Sequence, residues 1–162
     1  MNRKVVSILF AIIVGALAGP GFESPKASQK AYQGPTGIPP YHNTDPEKEL
    51  PAVLPASQFT GDAQRAYSAA ARAGKVLYQQ PCYCYCNLDK GHKSLHECFT
   101  STHGSTCSIC QREAIYADEQ IQAGKSPKQI RKEIIAGKWK EVKLSGDVKQ
   151  AEQQGDGHEH HQ

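Results

Sequence analysis

All six cysteines of this chain fall within the 29 positions from Cys82 to Cys110: Cys82, Cys84, Cys86, Cys98, Cys107 and Cys110. Three histidines, His92, His96 and His103, lie among them. Pro81-Cys82-Tyr83-Cys84-Tyr85-Cys86 carries a sulfur at every second residue. In extended chain alternate side chains share a face, so three sulfurs would line one side and two tyrosines the other. Disulfides between nearest members of a C-x-C run are strained, because a bridge wants Cα atoms ~4.4–6.8 Å apart with suitable Cβ directions. The same crowding suits a soft metal ion, which accepts thiolates converging from one side.

Cys107-Ser108-Ile109-Cys110 is a C-x-x-C at the start of an expected helix. A helix N-terminus lowers the pKa of the first thiol, giving a thiolate for metal binding or for disulfide exchange. His92 and His96 are four apart and would meet on one helix face, with Cys98 nearby. The candidate metal ligands are therefore Cys82, Cys84, Cys86, His92, Cys98, His103, Cys107 and Cys110. If the chemistry is redox, Cys107 and Cys110 carry it. His158, His160 and His161 in the last residues could capture ions loosely, though a solvated tail is the simpler reading. Six is also an even count in a chain with a small ordered part, so three disulfide staples form a competing account.

Loops of this kind need a frame. Asp62 to about Tyr78 is rich in Ala, Gln, Arg and Lys, all good helix formers. Ala66, Ala70, Ala73 and Leu77 recur at spacings that give one apolar face. Pro81 ends this helix near Gln79-Gln80. A second helix is expected over Ser108 to Gln122, with Cys110, Ala114, Ala117 and Ile121 on one stripe. A third opens at Ser126-Pro127-Lys128-Gln129, where the N-cap, N1 proline and capping box agree. Ile130, Ile134 and Ile135 should face inward, Gly137 should close the helix, and Trp139 should lid the core. The expected fold class is all-α: a small domain of three to four helices with an irregular Cys/His-rich loop, over residues 59–143.

The flanks differ in composition. Met1-Asn2-Arg3-Lys4, an apolar run from Val5 to Ala18 and Ala16-Leu17-Ala18 read as a signal peptide over 1–18, or as an uncleaved anchor. The protein is then exported, to the periplasm or beyond. No cysteine precedes Cys82, so no lipid anchor on cysteine is expected. Residues 19–58 form a Pro/Gly-rich linker, expected to be extended or irregular because proline density opposes helix and ladder alike. Residues 144–162 read as a disordered, His-containing tail. Loss of Arg3 and Lys4 from 19 basic residues leaves 17 against 16 acidic ones. This near-neutral balance lacks the basic footprint of a nucleic-acid binder.

At Pro81-Cys82-Tyr83-Cys84-x-Cys86, Gly91-His92-Lys93-Ser94, Cys98-Phe99, His103, Cys107-x-x-Cys110 and Gly124-Lys125-Ser126, the chain resembles a family of exported bacterial proteins. That family is named for a Pro-Cys-Tyr-Cys-Gly-Cys motif rather than for an activity. The resemblance covers about residues 60–140. Tyr85 stands where the family's motif has Gly, which puts a tight turn there in doubt. A fainter similarity links Cys107-x-x-Cys110-Gln111 and the following helices to the thiol subunit of cytochrome c maturation.

Three functions compete. The first is an exported copper or zinc protein using thiolates and imidazoles, ligands that select these ions over hard cations. The second is a thiol–disulfide oxidoreductase in which Cys107 attacks and Cys110 resolves. The third is a disulfide-stapled interaction module. Beyond a metal ion, the expected partner is another exported metal- or redox-handling protein. No hydrolase triad, phosphate loop or organic-cofactor fingerprint stands in the sequence.

Overall fold

The computed structural model describes residues 36–147. The expected signal peptide (1–18), the start of the expected linker and the expected tail from residue 148 on lie outside them. Four α-helices lie wholly among the described residues, α1 (Gly61–Tyr78), α2 (His103–Thr106), α3 (Ser108–Gln122) and α4 (Pro127–Ile135), and residues 145–147 are helical as well. Three 3-10 turns, Ala56–Gln58, Leu95–Phe99 and Lys138–Glu141, join them, and no strand occurs among the described residues. The protein is all-α. No described helix is long and apolar enough to cross a membrane.

Packing of α1 along α3 makes the core. Ala66, Ala69, Ala70, Ala73 and Leu77 of α1 are buried, and so are Cys110, Ala114 and Ala117 of α3. Small side chains on the meeting faces let the two backbones approach closely. Phe99 and Leu95 fill one end, and Ile130 and Ile134 of α4 close another. Tyr67 sits between Phe59, stacked at 3.9 Å, and Phe99, edge-on at 5.1 Å. The capping box of α4 is complete: Gln129 N–H donates to Ser126 Oγ, and Ser126 N–H to Gln129 Oε1. Ile135 is a correction. It is 37% exposed, because one step past Ile134 turns it ~100° away from the face shared by Ile130 and Ile134.

Residues 36–58 are irregular, yet they lie against the helices as a strap. The His42 ring stacks on Tyr78 at 3.8 Å. Arg131 donates to the carbonyls of His42 and Gln79, and its guanidinium lies 4.6 Å from the Tyr41 ring. Asp45 accepts from Gln79 at 2.7 Å, and Leu54 N–H donates to Phe99 O at 3.0 Å. Prolines remove ladder hydrogen bonds but leave side chains free to pack. At the other end Val142 and Leu144 are buried. Arg112 donates to Val142 O and pairs with Asp147 at 2.7 Å. Packing therefore continues up to the last described residue.

Candidate metal centre

The cysteine segment is irregular, as expected, and is folded into turns rather than an extended run. Gln80 anchors its start. This fully buried amide donates to Val76 O and Pro127 O, while the Gln80 carbonyl accepts from Leu95 N–H. Tyr85 N–H then donates to Cys82 O at 3.1 Å, Leu88 N–H to Tyr85 O at 3.0 Å, and Lys90 N–H to Cys86 O at 2.8 Å. Two successive reversals wrap Cys82, Cys84 and Cys86 around a common centre. The turn requires a left-handed residue, and Tyr85 supplies it with φ of 57°. So the tight turn forms despite the side chain.

Three other elements bring donors to the same centre. The Leu95–Phe99 turn carries Cys98, which is completely buried. α2 carries His103. Gly104 beside it is pressed so closely on Phe99 and the Cys98 carbonyl that an added Cβ would lie 2.9–3.0 Å from them. The first turn of α3 carries Cys107 and Cys110; Cys107 Sγ is its N-cap and accepts from Cys110 N–H at 3.5 Å.

The sulfurs converge. Cys82 Sγ is 3.3 Å from Cys84 Sγ and 3.5 Å from Cys110 Sγ. Cys84 is 3.5 Å from Cys110, and Cys98 is 3.4 Å from Cys86 and 3.8 Å from Cys82. His92 Nδ1 is 3.4 Å from Cys98 Sγ, and His103 Nε2 is 3.8 Å from Cys84 Sγ. All six thiols are free. Two thiolates on one tetrahedral zinc at ~2.3 Å stand about 3.8 Å apart, so these separations suit shared metal ligands. Three sets of four donors lie within 4.8 Å of one another: Cys82, Cys84, Cys86 and Cys98; Cys84, Cys98, His103 and Cys110; and Cys86, His92, Cys98 and His103. Seven of the eight residues proposed from sequence thus share a metal-sized space. Cys107, the eighth, belongs to none of these sets and borders the cluster through Cys84 and Cys110.

His96 leaves the site. The helix that would have aligned it with His92 is replaced by a short 3-10 turn starting at Leu95. His96 is buried beside Gly74 of α1 instead.

Charge is unevenly shared among the thiols. Cys84 is held far below the ordinary thiol range, because the sulfurs of Cys107, Cys110, Cys82 and Cys86 bond to its thiolate. Cys82 is pushed up, chiefly by Cys110 and Cys84, and Cys110 is pushed up chiefly by Cys107. Cys107 is raised too: its bond with Cys110 pulls it down, and Cys84 and burial outweigh that. Helix position alone suggested a depressed Cys107; the neighbouring sulfurs shift it the other way. Burial lowers the His92 pKa and keeps the ring in the neutral form that can ligate.

Glu113 is a participant the sequence reading missed. It is fully buried one turn after Cys110, and its Oε1 accepts from Tyr83 N–H at 2.9 Å, pinning the C-x-C-x-C turn to α3. Burial pushes its pKa well up, and Oε2 has no partner. The i, i+3 step from Cys110 was the available signal. Pro39 and Pro40 of the strap cover the side formed by Cys82, Cys86, Asn87, His92 and Ser94, leaving no space there for water. Asn87 Oδ1 and Ser94 Oγ have no hydrogen-bond partner. Cys84, His103 and Cys107 are only half-buried and mark the open side.

The profile of a family described as proteins of unknown function with a PCYCGC motif matches residues 10–145. The chain belongs to this family. Its motif occupies Pro81 to Cys86, with Tyr85 at the glycine position, and so coincides with the double turn at the centre of the cluster. No curated protein and no solved structure matches the chain.

Proposed function

We propose that this protein is an exported carrier of a soft metal ion, copper(I) or zinc(II), serving trafficking, sensing or storage. One observation carries the reading: four-donor sets of thiolate and imidazole, already gathered at ligand spacing inside a helical frame. Sulfur-rich sites of this kind favour copper and zinc and reject hard cations. Four of the sulfurs, those of Cys82, Cys86, Cys98 and Cys110, are buried, which fits retention. The half-buried Cys84, His103 and Cys107 form the side from which an ion would be passed by ligand exchange. Export supplies the setting, and the apolar run from Val5 to Ala18 is its support.

Thiol counting on the purified chain, with and without chelator under denaturing and native conditions, tests the reading together with elemental analysis. Copper or zinc should co-purify, and chelation should release reactive thiols. A metal-free protein with three disulfides would replace this reading with staples. Iron with acid-labile sulfide would replace it with a redox cluster.

A further inference from the structure

The donors outnumber what one ion can use. A tetrahedral ion takes four ligands, yet seven donor atoms stand in three interpenetrating sets of four. The set of Cys82, Cys84, Cys86 and Cys98 and the set of Cys84, Cys98, His103 and Cys110 have two members in common, Cys84 and Cys98. Both shared members are sulfurs. A thiolate has lone pairs enough to join two metal ions, whereas an imidazole nitrogen has one.

Resting on the metal-binding reading above, we infer that the site holds at least two ions as one cluster, with Cys84 and Cys98 as bridging thiolates. Cys82 and Cys86 complete one ion; Cys110 and His103 complete the other. The positions of the bridges agree with this role. Cys98 Sγ, completely buried, lies among Cys86, Cys82 and His92. Cys84 Sγ lies among Cys82, Cys110 and His103. Electrostatics favours the second ion. Five thiolates around one divalent ion would leave three negative charges uncompensated where four of those sulfurs are buried and one side is closed by Pro39 and Pro40. A second ion leaves one, and unpaired buried charge is strongly disfavoured. Monovalent copper, which accepts fewer ligands, would fill the same donors with more ions.

Native mass spectrometry of the full chain, titrated anaerobically with copper(I) and separately with zinc(II), counts the ions. The expected result is two or more per chain, with the one-ion form scarce throughout the titration because bridging makes filling cooperative. X-ray absorption of the loaded wild-type protein should show a metal–metal scattering shell, a readout independent of any variant's folding. The Cys98→Ser variant should drop to one ion or fewer. A wild-type chain that saturates at one ion, keeps alkylatable thiols in the native state and lacks the metal–metal shell would overturn the cluster and leave the carrier reading standing. A chain that retains no ion against a mild chelator would overturn both.

Discussion

The helical frame and the cysteine segment it carries are held by different forces. In the frame, α1, α3 and α4 satisfy their own backbone groups and bury alanine, leucine and isoleucine faces. At the start of α4 the Ser126–Gln129 box caps the helix reciprocally. Between Cys82 and Cys110 the chain spends its buried volume on sulfur. It accepts a left-handed tyrosine and leaves Asn87 and Ser94 with unpartnered oxygens. Such local costs gather at functional sites, where geometry is imposed by the surroundings. The frame is built to persist; the segment is built to present thiols.

Substitutions can pull the two regions apart. Phe99 joins them, since its ring packs on Tyr67 and its neighbour is Cys98. Phe99→Ala should cost about 3–5 kcal/mol, read by chemical denaturation, and should weaken metal binding as well. Little loss of stability would mean that the cysteine segment is not tied to the frame at this point. Gly104→Ala should act more locally. The new methyl collides with Phe99 and the Cys98 carbonyl, costing ~1–3 kcal/mol and displacing Cys98 and His103 relative to each other. Metal affinity should fall further than helix content by circular dichroism, and an unchanged affinity would count against this packing.

Tyr85 offers a test by the difference between two variants. With φ of 57° it holds a conformation that costs a non-glycine residue ~1–2 kcal/mol. Its hydroxyl donates to Gly37 O at 2.9 Å in return. Tyr85→Gly loses that bond but relieves the strain, so its stability should stay within about 1 kcal/mol of the parent. Tyr85→Ala keeps the strain, loses the phenol and should destabilise. If the glycine variant were no more stable than the alanine variant, the strain account would fail.

The smallest effect belongs to the frame. Glu133 accepts from Lys125 at 2.7 Å, from Tyr116 at 2.8 Å and from Lys138 at 3.3 Å. The Lys125 bond, helped by Tyr116 and Lys138, lowers its pKa to about 2. A depressed carboxylate stabilises the fold above its ordinary pKa near 4.5, and that stabilisation is lost as pH falls toward 2. Glu133→Gln should therefore cost under about 1 kcal/mol at neutral pH. Its melting curve should rejoin that of the parent near pH 2. A gap that stayed constant with pH would rule out the ion pairs as its source.

Periodicity explains why the frame was legible. Apolar spacing and capping residues place α1, α3 and α4 within a residue or so of their observed limits, because a helix satisfies its hydrogen bonds within its own segment. Ile135 strayed since three isoleucines in six positions exceed one face. The cysteine segment has no such repeat. It was expected as an irregular loop and no more, and its fold depends on Gln80, Glu113 and Gly104, whose partners lie up to 47 residues away. The strap was missed for the same reason: the contacts of His42, Asp45 and Leu54 follow no period.

Sequence alone determined which atoms are available for chemistry: six sulfurs and their neighbouring imidazoles, grouped too densely to be incidental. It also determined the helices beside them, since both properties reside in residue type and short-range spacing. Tertiary structure decided which of those atoms meet. It turned His96 toward α1, set Cys107 at the edge and brought Glu113 under Tyr83. Those outcomes depend on distances between segments far apart in the chain. Such distances are fixed only when the alanine faces of α1 and α3 close on each other and carry both ends of the cysteine segment into contact.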